Sequence, residues 1–281
     1  MPLEVTDRSA PARPGPLRTP LALLQAAYAR VAFWSMTTLF CAISLGWSSL
    51  AALLYPVLPT DVGRRVGRYG VTYCFRFYLG CLQATGLARC DLQALDALRA
   101  EPGLVIAPNH PALIDVVLIT SRLPRVTCIM KAELWDSPLL GGSARLARYI
   151  RNDSPVSLVK RAAREVRQGS QLLVFPEGTR TVKTPVNPFK SGFALIAKHA
   201  GAPVQTVFIE TNSGYLGKGW PLYRMPAFPL HYRVRLGRRF TVDGDVKAFT
   251  ARLEAYFAEE LAGGAVSGQP ATAAGRAVPQ R

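Results

Sequence analysis

Hydrophobic and polar positions divide the chain into three regimes. Val31–Leu58 carries no charged side chain over 28 positions, more than the roughly 20 residues that span a bilayer core. Residues 62–84 follow a helical period: Val66, Tyr69, Tyr73, Phe77 and Leu82 recur among Arg64, Arg65, Arg68 and Arg76. From residue 85 onward, short apolar runs bounded by Gly and Pro alternate with longer segments of period 3.6. Such runs predict buried strands and the longer segments predict helices.

The first helix is expected to begin near Pro20 and run through Leu21–Arg30. Gly46, Pro56 and Pro59 are break points in the apolar segment, and Thr60 or Asp61 caps a second helix over 62–84. Beyond it, the pattern predicts an edge strand at Leu87–Leu92, a short helix at Gln93–Arg99 and a strand ending at Pro108. Further strands are expected at Val126–Met130, Gln171–Phe175, Ala202–Ile209, Tyr232–Leu236 and Arg239–Val242. Ser154–Gln168 is helical, with Ser154 as cap and Gly169 as terminator. Another helix ends near His199, and Val246–Leu261 forms an amphipathic one. The expected divisions are a disordered basic tail at 1–20, membrane-associated helices at 21–84, an α/β domain at 85–261 and a disordered tail at 262–281. The expected fold is α/β, with a central mixed or mostly parallel sheet flanked by helices.

Charge sharpens this picture. The formal net charge is +16 and the sequence pI about 10.2, which points to a polyanionic partner. No zinc-finger spacing or RNA-binding string accompanies it, so nucleic acid is set aside in favour of an anionic membrane. Arg30 precedes the apolar segment and Arg64, Arg65 and Arg68 follow it. Positive residues at both flanks disfavour translocation of either end. The expectation is a helix embedded in one leaflet or re-entrant, its ends and the domain on the cytosolic side of the inner membrane. A buried core helix is the other account of this segment. A signal peptide is excluded by its length. Residues 62–84 suit a lipid interface or, alternatively, a core helix whose arginines snorkel. The five cysteines (41, 74, 81, 90, 128) are odd in number, have no metal or redox spacing, and are expected to be reduced.

Candidate chemistry centres on Ala107-Pro108-Asn109-His110-Pro111, with Asp115 five residues after His110. Pro111 suits the first position of a helix, with Asn109 or His110 at the cap. Asp115, one turn on, can reach the His110 ring. Imidazole titrates near neutral pH, and a carboxylate fixes its tautomer, so the pair suits a general base. A capping histidine beside an unrelated Asp is the bland alternative. Val174-Phe175-Pro176-Glu177-Gly178-Thr179-Arg180 follows another predicted strand, so both stretches can share one cleft.

Asn109-His110 with Asp115 resembles the His-x4-Asp motif of the PlsC-like glycerolipid acyltransferases. Phe175-Pro176-Glu177-Gly178-Thr179-Arg180 resembles that family's second signature, and order and separation agree. The resemblance covers roughly residues 60–260. A Lys131, Glu133, Leu134 run is also similar to the family. Its third signature is matched in part by Tyr149-Ile150-Arg151, where Arg follows Ile directly. The resemblance implies transfer of a fatty acyl group from acyl-CoA or acyl carrier protein to a lysophospholipid hydroxyl. The default acceptor is 1-acyl-sn-glycerol-3-phosphate, and an amino-acid lipid or polyene lipid is the alternative. His110 is then the base and Asp115 its orienter. Glu177, Gly178, Thr179 and Arg180 bind substrate, Arg180 through phosphate, with Arg151 and Lys190 as weaker anion contacts. No metal or cofactor is expected, and His199 and His231 are structural. No Gly-x-Ser-x-Gly elbow occurs, which favours direct transfer. Hydrolysis of the thioester by water and noncatalytic binding of anionic lipid are the rivals.

Overall fold

The computed structural model describes residues 19–265 except Ser154 and Thr184. The expected tails at 1–20 and 262–281, apart from residues 19–20 and 262–265, and the expected Ser154 cap lie outside the described residues. The helices are α1 (Pro20–Leu54), α2 (Thr60–Ala84), α3 (Asp115–Thr120), α4 (Ala132–Trp135), α5 (Gly141–Leu146), α6 (Pro155–Arg167), α7 (Gly192–Ala200) and α8 (Val246–Ala265). The strands are β1 (Ala88–Asp91), β2 (Val105–Pro108), β3 (Val126–Met130), β4 (Ile150–Arg151), β5 (Gln171–Leu173), β6 (Val204–Thr211) and β7 (Leu230–Phe240). The short helix expected at 93–99 is a 3-10 turn, Gln93–Leu98.

The strands form one mixed sheet, as the pattern predicted, in the order β1-β7-β6-β2-β5-β3-β4. Every neighbouring pair is parallel except β6 and β7. Strand β2 is buried on both faces, which explains its unbroken apolar run. Ile106 faces a core with Leu79 and Leu82 of α2 and Leu118 and Ile119 of α3. Val105 faces a second core with Val166 of α6, Phe193 of α7, and Phe249, Leu253 and Phe257 of α8. The i, i+4 spacing of those α8 residues is the amphipathic period seen in sequence.

Several boundaries differ from expectation. Helix α1 runs through Gly46 without a break. A mid-helix Gly costs only about 0.5–1 kcal/mol relative to Ala, and Pro56, which lacks an N–H, ends the helix instead. The start of α1 at Pro20 is as expected, with Thr19 as cap, its Oγ1 accepting the Ala22 N–H at 3.3 Å. Pro59 precedes α2 with no side-chain cap, and Asp61 pairs with Arg64 at 2.7 Å. The two late strands are one, β7. Gly237 lies within it because a Cβ there would stand 2.4 Å from the Phe208 ring and from Thr206 Oγ1. Helix α8 continues to Ala265, past the expected end at Leu261.

The basic face of α2 is split. Arg68 is buried, donating through Nε to Ala147 O (3.1 Å), through Nη1 to Ser170 Oγ (2.9 Å) and through Nη2 to Glu165 Oε2 (3.0 Å). This bolts α2 to the α/β body, so of the two expected roles for the helix Arg68 serves the core-facing one. Arg65, Tyr69, Tyr73, Arg76 and Phe77 form the exposed stripe. Helix α1 likewise leaves Leu24, Val31, Leu50 and Leu53 exposed. It is long and apolar enough to cross a membrane, with mean hydropathy 1.6 in its best window, most of which is unburied. That exposure is unlike a core helix.

Candidate active site

Parallel strands β2, β5, β3 and β4 end at one edge of the sheet, and the candidate residues follow them. Asn109 locks the end of β2 to β6. Its Nδ2 donates to Ile209 O (3.0 Å) and its Oδ1 accepts the Ile209 N–H (2.7 Å), continuing the ladder through a side chain. The next residue, His110, is held at four points. Its N–H donates to Glu177 Oε1 (3.0 Å) and its carbonyl accepts the Thr181 N–H (2.7 Å). Its Nδ1 lies 2.8 Å from Asp115 Oδ2, and its ring stacks on Phe175 with centroids 3.7 Å apart. The side chain is 13% exposed, so the ring is nearly enclosed. With Nδ1 on Asp115, Nε2 is the nitrogen left for chemistry.

Pro111 does not open a helix. The His110 carbonyl that would accept the first helical bond is taken by Thr181, and the Leu113 N–H donates to Leu216 O at 3.0 Å. Residues 111–114 form a bend and α3 begins at Asp115. Asp115 is fully buried, and its Oδ2 also accepts the Ala112 N–H at 2.9 Å. Burial pushes its carboxyl above the usual range; the His110 and Ala112 hydrogen bonds pull the other way. Asp115 Oδ1 and Tyr232 Oη are buried without a hydrogen-bond partner among the described residues. Burial, with a smaller contribution from Asp115, raises the Tyr232 phenol strongly.

Glu177 is built differently from expectation. It is 1% exposed, and its carboxylate is filled by three internal donors. Oε1 accepts the His110 N–H and the Thr181 hydroxyl (2.7 Å), and Oε2 accepts the Asn187 N–H (2.9 Å). These bonds tie the β5 loop to His110. Asn187 completes the loop, its Oδ1 accepting from Val182 and Lys183 N–H (both 3.1 Å) and its Nδ2 donating to Arg180 O (3.1 Å). Thr181 and Asn187 were missed in the sequence; the only signal, Asn before Pro188, marks a turn and nothing more.

Gly178 has φ +67°, and a Cβ there would lie 2.8 Å from Lys190 Cδ, so the lysine stem lies against the loop. Thr179 adjoins it. Lys190 has no ion pair among the described residues. Arg180 donates through Nη1 to Leu216 O (2.9 Å) and Gly217 O (3.0 Å), so part of the guanidinium braces the segment after β6. Arg151 is set apart. It lies in β4, three strand spacings or about 14 Å from β2, and pairs with Asp136 (3.1 Å) and Asp153 (2.9 Å). The carboxylates satisfy its charge, which weakens it as an anion contact. His199 is exposed near the end of α7 and bonded to Leu195 O (2.9 Å), and His231 is exposed at the start of β7, where its N–H donates to Asn212 Oδ1 (2.8 Å).

A histidine oriented by a buried carboxylate, next to a Gly-containing loop with Lys and Arg, can deprotonate a hydroxyl near an anionic group. Residues 89–210 match the family described as "Acyltransferase". The chain is 25% identical over 234 residues to a 1-acyl-sn-glycerol-3-phosphate acyltransferase of Pseudomonas aeruginosa, covering 80% of this chain and 88% of that protein. It is 31% identical over 138 residues to human lysophosphatidylcholine acyltransferase 1, covering 45% of this chain and 24% of the relative. Among solved structures, the 1-acyl-sn-glycerophosphate acyltransferase PlsC of Thermotoga maritima superposes with a TM-score of 0.64 at 18% identity. It covers 90% of this chain and all of that one.

Proposed function

We propose, from its match to the family described as "Acyltransferase" and its likeness to 1-acyl-sn-glycerol-3-phosphate acyltransferases, that the chain is an O-acyltransferase that acylates the free hydroxyl of a lysophospholipid. Its proposed donor is a thioester, acyl-CoA or acyl carrier protein. The default acceptor is 1-acyl-sn-glycerol-3-phosphate, as named for the Pseudomonas relative; the product is then phosphatidic acid. The observation that carries this is the 2.8 Å contact of His110 Nδ1 with the fully buried Asp115.

His110 Nε2 removes the acceptor's hydroxyl proton as the oxygen attacks the thioester carbonyl. The C–S bond breaks as the tetrahedral intermediate collapses, and the imidazolium returns the proton to the leaving thiolate. Asp115 Oδ2 holds the Nδ1–H and stabilises the cation; Phe175 stacked on the ring adds cation–π stabilisation. A positioned base of this kind contributes about 10²–10⁴-fold. Lys190 and the Arg180 nitrogens not bonded to Leu216 and Gly217 are the groups proposed to receive the acceptor's phosphate.

The exposed apolar stripe of α1 and the basic aromatic stripe of α2 support seating in the cytosolic leaflet of the inner membrane. The test is product analysis with labelled acyl thioester, with and without lysolipid. Labelled diacyl lipid formed only with lysolipid supports transfer. Labelled free fatty acid at the same rate with or without it makes the enzyme a thioesterase and sinks the proposal. Activity across a panel of head groups decides the acceptor.

A further inference from the structure

The 18 residues between β6 and β7, Asn212–Pro229, form neither helix nor strand, yet they are tightly built. Asn212 staples the base, its Oδ1 accepting the His231 N–H (2.8 Å) and its Nδ2 donating to Pro229 O (3.1 Å). Leu216 O accepts from both Leu113 N–H and Arg180, so the segment is bonded to the His110 bend and to the Glu177 loop. Tyr215 and Phe228 pack on Phe33 of α1, with ring centroids 6.1 and 6.0 Å away. At the tip the Trp220 indole N–H donates to Arg224 O (2.9 Å), the Arg224 guanidinium lies 5.0 Å from the Trp220 ring, and Tyr215 meets Trp220 edge-on.

This framework holds two apolar side chains outward: Leu222 is 68% and Tyr223 76% exposed. Lys218 and Arg224 flank them, and no Asp or Glu occurs between Glu210 and Asp243. Leu, Tyr and Trp at a tip with only positive charge is the composition of an element lying at a lipid–water boundary. The tip also continues another apolar surface, since Val31 and Trp34 on either side of Phe33 in α1 are themselves exposed.

We propose that the Lys218–Arg224 tip is a second membrane contact, inserting Leu222 and Tyr223 among the headgroups of an anionic phospholipid leaflet. The cations choose this occupant: they suit phosphate, and an acid-free tip lacks the mixed charges of a protein-facing rim. The contact would hold the mouth of the His110 cleft at headgroup depth, so that a lysolipid enters from the leaflet without passing through water. The proposal rests on the membrane seating of α1, and the test separates the two.

Tyr223→Cys, in a chain with Cys41, Cys74, Cys81 and Cys90 replaced by Ser, is labelled with an environment-sensitive fluorophore. Lys247→Cys on α8, across the sheet from α1, is the control. Each is mixed with phosphatidylglycerol/phosphatidylethanolamine vesicles and floated. The expected result is flotation, a blue shift at position 223, quenching there by lipids carrying a nitroxide near the headgroup, and no change at position 247. Flotation with position 223 as wet as in buffer overturns the tip contact while leaving α1 seated. No flotation overturns both. A blue shift at 223 already present without vesicles assigns the tip to a protein contact and also overturns the proposal. In kinetics, the Leu222→Ser, Tyr223→Ser double variant should lose about tenfold in kcat/KM on vesicle-borne lysolipid, the scale of burying one such side chain. It should match the parent on a short-chain acceptor below its micelle concentration; an equal loss on both contradicts the proposal.

Discussion

Replacing Glu177 by Gln distinguishes a loop organiser from a ligand for substrate. The side chains have the same shape, but the amide has one oxygen and a donor where the carboxylate has two acceptors. That oxygen can keep the His110 N–H and the Thr181 hydroxyl. The new NH2 then faces the Asn187 N–H, which now donates to Oε2 at 2.9 Å. One hydrogen bond to a charged group is lost, about 1.5–3 kcal/mol, and two buried donors oppose each other. The expected destabilisation is about 3 kcal/mol. In a domain of this size each kcal/mol moves Tm by about 2–4 °C, so thermal unfolding should fall by roughly 6–12 °C. Activity should fall too, in kcat more than in KM, because the carboxylate fixes the backbone of His110. Differential scanning fluorimetry and steady-state kinetics read both. An unchanged Tm with a raised KM for lysolipid alone would refute this account and return Glu177 to the substrate.

Asp115→Asn should abolish most activity. Because burial raises the Asp115 pKa in the fold, its stabilising contribution is full below the unfolded value of about 3.9 and is lost as pH rises through the folded one. The amide cannot ionise, so Tm of the variant minus Tm of the parent should grow more positive from pH 4 to pH 8, and a shrinking difference contradicts this. Arg180→Ala should lower kcat/KM about 10–150-fold on phosphate-bearing acceptors. An equal loss on a phosphate-free acceptor would mean that Arg180 acts only by bracing Leu216 and Gly217. Arg68→Met removes a buried guanidinium and its hydrogen bonds to Ala147 O, Ser170 and Glu165, so chemical denaturation should show a loss of about 3 kcal/mol; a neutral result would show that α2 is held by its apolar face alone.

The architecture was legible because β2, β5 and β6 are buried runs too short for helices, each closed by Gly, Pro or a polar turn. The His110–Asp115 pair was legible for a local reason, since five residues of chain suffice to bring the two together. Roles that depend on distant partners were not. Glu177 looks like a ligand in isolation, and only the fold brings residues 110, 181 and 187 to its two oxygens. Arg68 looks like its exposed neighbour Arg65 until Glu165 and Ser170 arrive from about 100 residues away. The expected late strands stopped at Leu236 and resumed at Arg239, whereas β7 runs on through Gly237, where the bulky Phe208 on the partner strand leaves no room for a side chain. Pro111 misled because its preference for a helix start is weaker than the His110–Thr181 bond that occupies the carbonyl.

The proposed chemistry turns on His110 taking a proton from a lysolipid hydroxyl. Its most direct test follows labelled acyl thioester into lipid with purified parent and His110→Ala, each checked for the same circular dichroism and vesicle binding. Labelled diacyl lipid is expected from the parent, with at least about 10²-fold slower formation by the variant. A folded, membrane-bound His110→Ala that turns over at near the parent rate would contradict it.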